Sequence, residues 1–150
     1  MRVAVAADHA GFHLKRPILE WLAAHGIAYL DLGAYSFQQE DDYPDYARTL
    51  AEAVLGGRCD LGIMICGTGQ GSCMALNKFP GIRAAACADC YSARYSREHN
   101  DANVLCLGAR VVGEGLALVI VETWLGAPFS GEARHQRRIA KMAELGRGES

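Results

Sequence analysis

Two hydrophobic rhythms take turns along this chain, and their alternation constrains the fold more than any other feature. Short unbroken apolar runs, the mark of strands buried on both faces, are separated by segments whose apolar residues recur every three or four positions. Arg2-Val-Ala-Val-Ala-Ala7 is such a run and stops at Asp8. Leu14, Ile18 and Leu22 then share one helical face, with Gly26 as a C-terminal stop. Pro17 suits a helix only in its first turn, which predicts that the regular helix begins close to it.

The alternation continues to the end. Ile27 to Leu32 reads as a second strand closed by Gly33, and Ala34 to Asp42 as a loop. Pro44 opens a helix in which Tyr46, Leu50 and Val54 share a face, and Gly56-Gly57 closes it. Asp60 to Cys66 is the most continuous of the early runs, so it is predicted to be the central strand. Gly67 to Gly71 forms a tight loop before a short helix through Met74 to Asn77. Arg83 to Cys87 is strand four, Asp89 caps a helix running towards His99, and Val104 to Leu107 is strand five. Gly113 to Leu125 is an apolar helix stopped by Gly126. Beyond Pro128, Ser130 is predicted to cap a last helix from about Glu132 to Leu145, and Gly146 to Ser150 to be a frayed tail.

Strands alternating with helices over short connections predict a parallel sheet covered on both faces. The expected fold is α/β, a Rossmann-like three-layer α/β/α sandwich with a five-stranded parallel sheet, in one domain spanning 1–150. A chain that is 51% hydrophobic and 21% charged has enough apolar surface for that core. Fifteen Lys+Arg against seventeen Asp+Glu give a net charge of -2, so no global field attracts nucleic acid or an anionic membrane, and any anion site must be local. Asp8 and His9 arrive too early for a signal-peptide apolar region, and Leu116 to Leu125 is too short to span a bilayer and contains Glu122. A soluble cytoplasmic protein is expected. The six cysteines sit mostly inside apolar runs, as reduced buried thiols do.

In open α/β sheets ligands bind beyond the carboxyl ends of the strands. The strongest local signal there is Cys66-Gly-Thr-Gly-Gln-Gly71. Its glycines let the backbone turn sharply and aim N–H groups at an anion. It is neither a dinucleotide fingerprint, because Ser72 stands where the third glycine belongs, nor a Walker loop, because no Gly-Lys-Ser/Thr follows. Taken alone, such a loop could equally be an empty strand-to-helix turn. Cys66 abuts it, and a thiol near a helix N-terminus can be held as the thiolate, a nucleophile or general base; otherwise it is a small buried hydrophobe. Asp8 and His9 leave strand one, where an N-cap and a surface histidine are the plain alternatives. His9 and His13 have i,i+4 spacing but no intervening Glu of the zinc-protease type, so no metal is expected. Cys87-Ala-Asp-Cys90 is a CxxC without a second one, compatible with a redox pair but better read as structural. His99 is a candidate proton shuttle, as imidazole side chains commonly are. Arg134 and Arg138 share a helical face that could clamp a phosphate or simply be solvated.

Assembled, these residues resemble the ribose-5-phosphate isomerase B family (RpiB/LacAB sugar-phosphate isomerases). The resemblance covers nearly the whole chain. It rests on Asp8-His-Ala-Gly-Phe12, Asp42-Tyr-Pro44, the Cys66–Gly71 loop, Asn77-Lys78, Arg97-Glu-His-Asn100, Asn103, Gly108-Ala-Arg110 and Arg134-His-Gln-Arg-Arg138. It implies a cofactor-free aldose–ketose isomerase acting on a phosphorylated sugar. By that resemblance Cys66 moves the proton between C1 and C2, Thr68 and the loop amides stabilise the enediolate, and His99 opens the sugar ring. Asp8, His9, Tyr43, Gly67, Gly69, Gln70, Gly71, Asn100, Arg110, Arg134 and Arg138 would bind substrate, the arginines mainly at phosphate. A family subgroup that lacks the cysteine carries Glu six positions later, where this chain has Ser72. The resemblance further implies a homodimer, or a tetramer, with sites at the subunit interface. Ribose 5-phosphate is the expected substrate; tetrose and hexose phosphates of the allose or galactose series are the alternatives. The loop around Tyr35 to Glu40 and Gln70 are the expected specificity elements. A non-catalytic phosphosugar-binding module and a Cys87/Cys90 redox protein are the competing classes.

Overall fold

The computed structural model describes residues 1–146. Its order is β1 (Arg2–Ala7), α1 (Phe12–Ala24), β2 (Ala28–Asp31), α2 (Tyr43–Leu55), β3 (Leu61–Cys66), α3 (Gln70–Leu76), β4 (Ala84–Ala86), α4 (Cys90–Asn100), β5 (Val104–Gly108), α5 (Glu114–Gly126) and α6 (Ala133–Glu144). The strands form one parallel sheet ordered β2-β1-β3-β5-β4, with β3 central as the apolar run of Asp60 to Cys66 predicts. All six residues of β3 are buried.

Each face of the sheet carries its own core, which makes the three layers. Leu14, Ile18 and Leu22 of α1, Ala93 of α4, and Ala117, Ile120, Val121 and Trp124 of α5 pack on Val3, Val5, Ile63, Ile65, Leu105 and Leu107. Ala47, Leu50, Ala51 and Ala53 of α2 and Leu76 of α3 pack on Ala4, Ala6, Met64, Val104 and Cys106 of the opposite face. The alternation of strand side chains divides the two sets. Burial of each larger aliphatic or aromatic side chain contributes about 1.5–3 kcal/mol.

Local chemistry accounts for the boundaries and for two departures from the expected ones. Asp89 caps α4, its side chain accepting from Ser92 N–H at 2.6 Å, a bond of about 1 kcal/mol. Pro17 lies inside α1, well past its first turn, because the helix starts at Phe12 rather than near the proline. Asp8 Oδ1 accepts from Gly11 N–H at 3.0 Å and sets that early start. Ser130 does not cap α6: the N-cap is Glu132, and Ser130 Oγ accepts only from Glu132 N–H at 3.3 Å. The predicted tail falls almost wholly outside the described residues. Lys15 is buried and donates to Asp31 Oδ1 at 2.7 Å and to the Ala34 carbonyl at 2.6 Å, which moors the start of the 34–42 loop to α1. All six cysteines are free. No helix among the described residues is long and apolar enough to cross a membrane.

Candidate active site

At the carboxyl edge of the sheet β3 ends on Cys66, and β5 ends beside it in the register Cys66 to Gly108. The loop between β3 and α3 is pinned to β5: Ala109 N–H donates to the Cys66 carbonyl and Arg110 N–H to the Gly67 carbonyl, both at 2.9 Å. Gly69 has φ +79°, a left-handed backbone that glycine adopts without strain. That turn folds the loop back on the strand end, and Gly69 N–H donates to Cys66 Sγ at 3.1 Å. Cys66 Sγ also lies 3.2 Å from Ser72 Oγ, whose hydroxyl is within 3.3 Å of the Gly69 carbonyl. The thiol therefore sits in a nest of short polar contacts and is itself 4% exposed.

Most of the residues singled out in the sequence gather here. Asp8 is buried, its amide donating to the Ile65 carbonyl one residue before Cys66. His9 follows it and is held by Asp41: His9 N–H donates to Asp41 Oδ1 at 2.9 Å, and His9 Nδ1 lies 2.7 Å from the same oxygen. Tyr43 packs on the loop so closely that a Cβ at Gly71 would fall 2.7 Å from its ring. Arg110 reaches over Gly67, its Nη1 3.1 Å from where a Cβ there would be. Thr68 and Gln70 line a 250 Å³ cleft with Ala86, Cys87, Ala88 and Val111; Cys66 is beneath the loop, not on the cleft wall. A larger hollow of 310 Å³ at Arg94, Glu98, Glu122 and Pro128 contains none of the expected site residues.

The rest are elsewhere. His99 and Asn100 end α4, and the Asn100 carbonyl accepts from Arg83 Nε at 3.0 Å, just before β4 begins. That is the amino edge of the sheet, whereas Cys66 is at the carboxyl edge. Six residues of β3 separate the two edges, roughly 16 Å at about 3.3 Å per residue. His99 stacks on His135 of α6 with ring centroids 4.3 Å apart and 11° between planes, and its other neighbour is Tyr95 at 4.6 Å. Ser130 N–H donates to the Glu98 carbonyl, so the start of α6, with Arg134, is fastened to the same end of α4. Arg134 and Arg138 are both exposed, and Arg134 pairs with Glu132 at 2.8 Å. Burial, together with the neighbouring His99 and Arg134, pushes the His135 pKa down.

Two contacts of the candidate site were not legible in the sequence. Asp41 sits in a polar loop like any surface carboxylate, and only the folded backbone brings it onto His9. Ser72 stands where a family subgroup carries Glu, and its contact with Cys66 shows that a side chain six positions on reaches the sulfur. Asp8, His9 and Asp41 are, among the described residues, the one group whose ligating atoms all fall within 4.8 Å, and each carboxylate already accepts backbone N–H donors. His13 is not in that group and stacks on Phe37. Cys87 does not suit a redox nucleophile, because burial pushes its thiol up to about 11.

The Ribose/Galactose Isomerase family model matches residues 3–142. The chain belongs to that family. Ribose-5-phosphate isomerase B of Escherichia coli K12 is 51% identical over 144 residues, 96% of this chain and 95% of that protein. D-erythrulose-4-phosphate isomerase of Pectobacterium atrosepticum is 44% identical, over 87% of this chain and 86% of its own. The structure of Clostridium thermocellum ribose-5-phosphate isomerase B matches with a TM-score of 0.94 at 52% identity, covering 97% of each chain. That of Mycoplasma genitalium ribose-5-phosphate isomerase B with bound ribulose-5-phosphate matches at 0.90 and 44%, covering 95% and 93%. This family member is a sugar-phosphate isomerase, which sets aside the binding-module and redox classes.

Proposed function

We propose that the chain interconverts ribose 5-phosphate and ribulose 5-phosphate by proton transfer through an enediolate. In the aldose-to-ketose direction Cys66 Sγ, as the thiolate, takes the proton from C2 of the open-chain sugar. The C2–H electron pair becomes the C1–C2 double bond, and the C1 carbonyl oxygen takes up negative charge. Thr68 and the loop amides donate to that developing oxyanion, the kind of preorganised stabilisation that dominates such reactions. The proton then returns to C1, the hydroxyl hydrogen passes from O2 to O1, and the ketose is left. His99 opens the furanose ring. Asp8, His9, Tyr43, Asn100 and Arg110 hold the sugar, and Arg134 and Arg138 hold the phosphate.

The observation that carries this reading is the sulfur of Cys66, held by the Gly69 amide at the end of the central strand inside a loop rich in backbone donors. The separation of His99, Arg134 and Arg138 from it supports a further point. One chain does not bring both sets together, so a homodimer, with α4 and α6 of one subunit facing the Cys66 loop of its partner, completes the site. The substrates of the relatives favour a pentose phosphate, with a tetrose phosphate as the second choice.

An isomerisation assay of EDTA-treated protein over tetrose, pentose and hexose phosphates tests the substrate. Ribose 5-phosphate is expected to have the highest kcat/KM, with solvent deuterium entering the product. A higher value on a tetrose or hexose phosphate overturns the substrate assignment. Cys66→Ala is expected to lower kcat by about 10²–10⁴-fold, the usual worth of a general base, with KM little changed. Near-native kcat in that variant overturns the base assignment.

A further inference from the structure

His9 is gripped in an unusual way. Its main-chain N–H and its ring Nδ1 converge on one oxygen, Asp41 Oδ1, at 2.9 and 2.7 Å. Two contacts from one residue to one atom leave the imidazole little freedom to turn. Asp41 is only 10% exposed in its side chain, and His9 27%. Burial pushes the Asp41 carboxyl up, but the two contacts from His9, with Tyr46 nearby, outweigh it and hold the group below the usual carboxylate value. Asp41 is therefore an anion facing a ring nitrogen, and a carboxylate so placed accepts an N–H. The ring edge is backed by Phe37 at 6.4 Å, itself packed on Phe12 and His13. Nε2 has no hydrogen-bond partner among the described residues.

We propose that Asp41 is a positioning residue that fixes His9 as the Nδ1–H form and presents Nε2 to the substrate; this rests on the reading of His9 as a substrate-binding group. The arrangement follows the general logic by which the partner of one imidazole nitrogen decides what the other does. It also gives the 34–42 loop a defined part in the site: its far end is moored to His9 through Asp41, as its near end is moored to α1 through Lys15.

A double-mutant cycle with NMR of the histidine ring nitrogens tests it. Asp41→Ala is expected to raise KM for ribose 5-phosphate about tenfold, the worth of a hydrogen bond to a charged group, with kcat changed less than threefold. The His9 ring signals should move to a mixture of tautomers. In the His9→Ala background the same substitution should add nothing. Asp41→Asn keeps an acceptor at Oδ1 and should recover most of the lost affinity. The proposal is overturned if Asp41→Ala costs as much without His9 as with it, which is what a purely structural loop anchor would do, or if the His9 ring signals stay unchanged. A wild-type protein inactive on ribose 5-phosphate would instead refute the proposed substrate, and the ring signals decide the Asp41 assignment in either case.

Discussion

The carboxyl and amino edges of the sheet both carry ionisable groups but differ in how firmly those groups are held. At the carboxyl edge Cys66 is buried, bonded by the Gly69 amide and touched by Ser72, and its carbonyl accepts from Ala109 N–H just beyond β5. At the amino edge His99 is held by ring stacking alone, and Arg134 and Arg138 are exposed on α6. On the proposed reading, the proton-transfer group sits where the backbone supplies the restraint, and the exposed helical groups would serve a second copy of the chain.

The sharpest way to break this contrast is complementation. Cys66→Ala and His99→Ala should each lose at least about 10²-fold in kcat. Unfolded and refolded together in equal amounts, they should regain about a quarter of wild-type activity, because half the dimers are mixed and one of their two symmetric sites is intact. No regain would overturn the shared-site reading. A smaller effect is expected at Gly71: alanine there would meet Tyr43 at 2.7 Å and displace it from the loop. Steady-state kinetics should show kcat/KM down about tenfold, in keeping with the sensitivity of sites to small misplacements.

The amino edge should respond to acid. The folded-state pKa of His135 lies below its ordinary 6.5. Above 6.5 both folded and unfolded chains leave it neutral and nothing changes. As the pH drops below 6.5 the unfolded chain takes up a proton that the folded one resists, so stability falls. His135→Phe keeps an aromatic ring against His99 and removes that titration. Its urea midpoint should drop less between pH 7 and pH 5 than that of the wild type. The smallest effect concerns thiols. A hydrogen bond with Cys106 lowers Cys73 to about 7 despite burial, while burial drives Cys106 far above its usual value. Peptide mapping after brief alkylation near pH 7 should find label on partly exposed Cys73 well before Cys66, which is 4% exposed. Prior labelling of Cys66 would show that the loop opens readily.

The elements were legible because each announces itself locally. The run ending at Cys66 reads as central because it is apolar throughout, and Asp89 reads as a cap because its side chain can reach Ser92 without help from elsewhere. Pro17 misleads for the opposite reason: α1 starts at Phe12 through a bond from Gly11 to Asp8, and packing of Ile18 and Leu22 tolerates the proline one turn further on. Ser130 misleads likewise, since its amide is engaged by Glu98 of a different helix.

The candidate site residues were equally visible as a set, through the spacing of Cys66 to Gly71 and the motifs around Asp8, His99 and Arg134. Their partition was not. Sequence order reports which side chains exist, because polarity and turn chemistry are properties of neighbouring residues. It is silent on which end of a strand a returning helix finishes, and on whether a loop carboxylate lands on a histidine. The three-dimensional packing decided that Asp41 grips His9, that Ser72 meets the Cys66 sulfur, and that His99 lies a sheet's depth from it. Those relations depend on distances between segments far apart in the chain, which only the closed core sets.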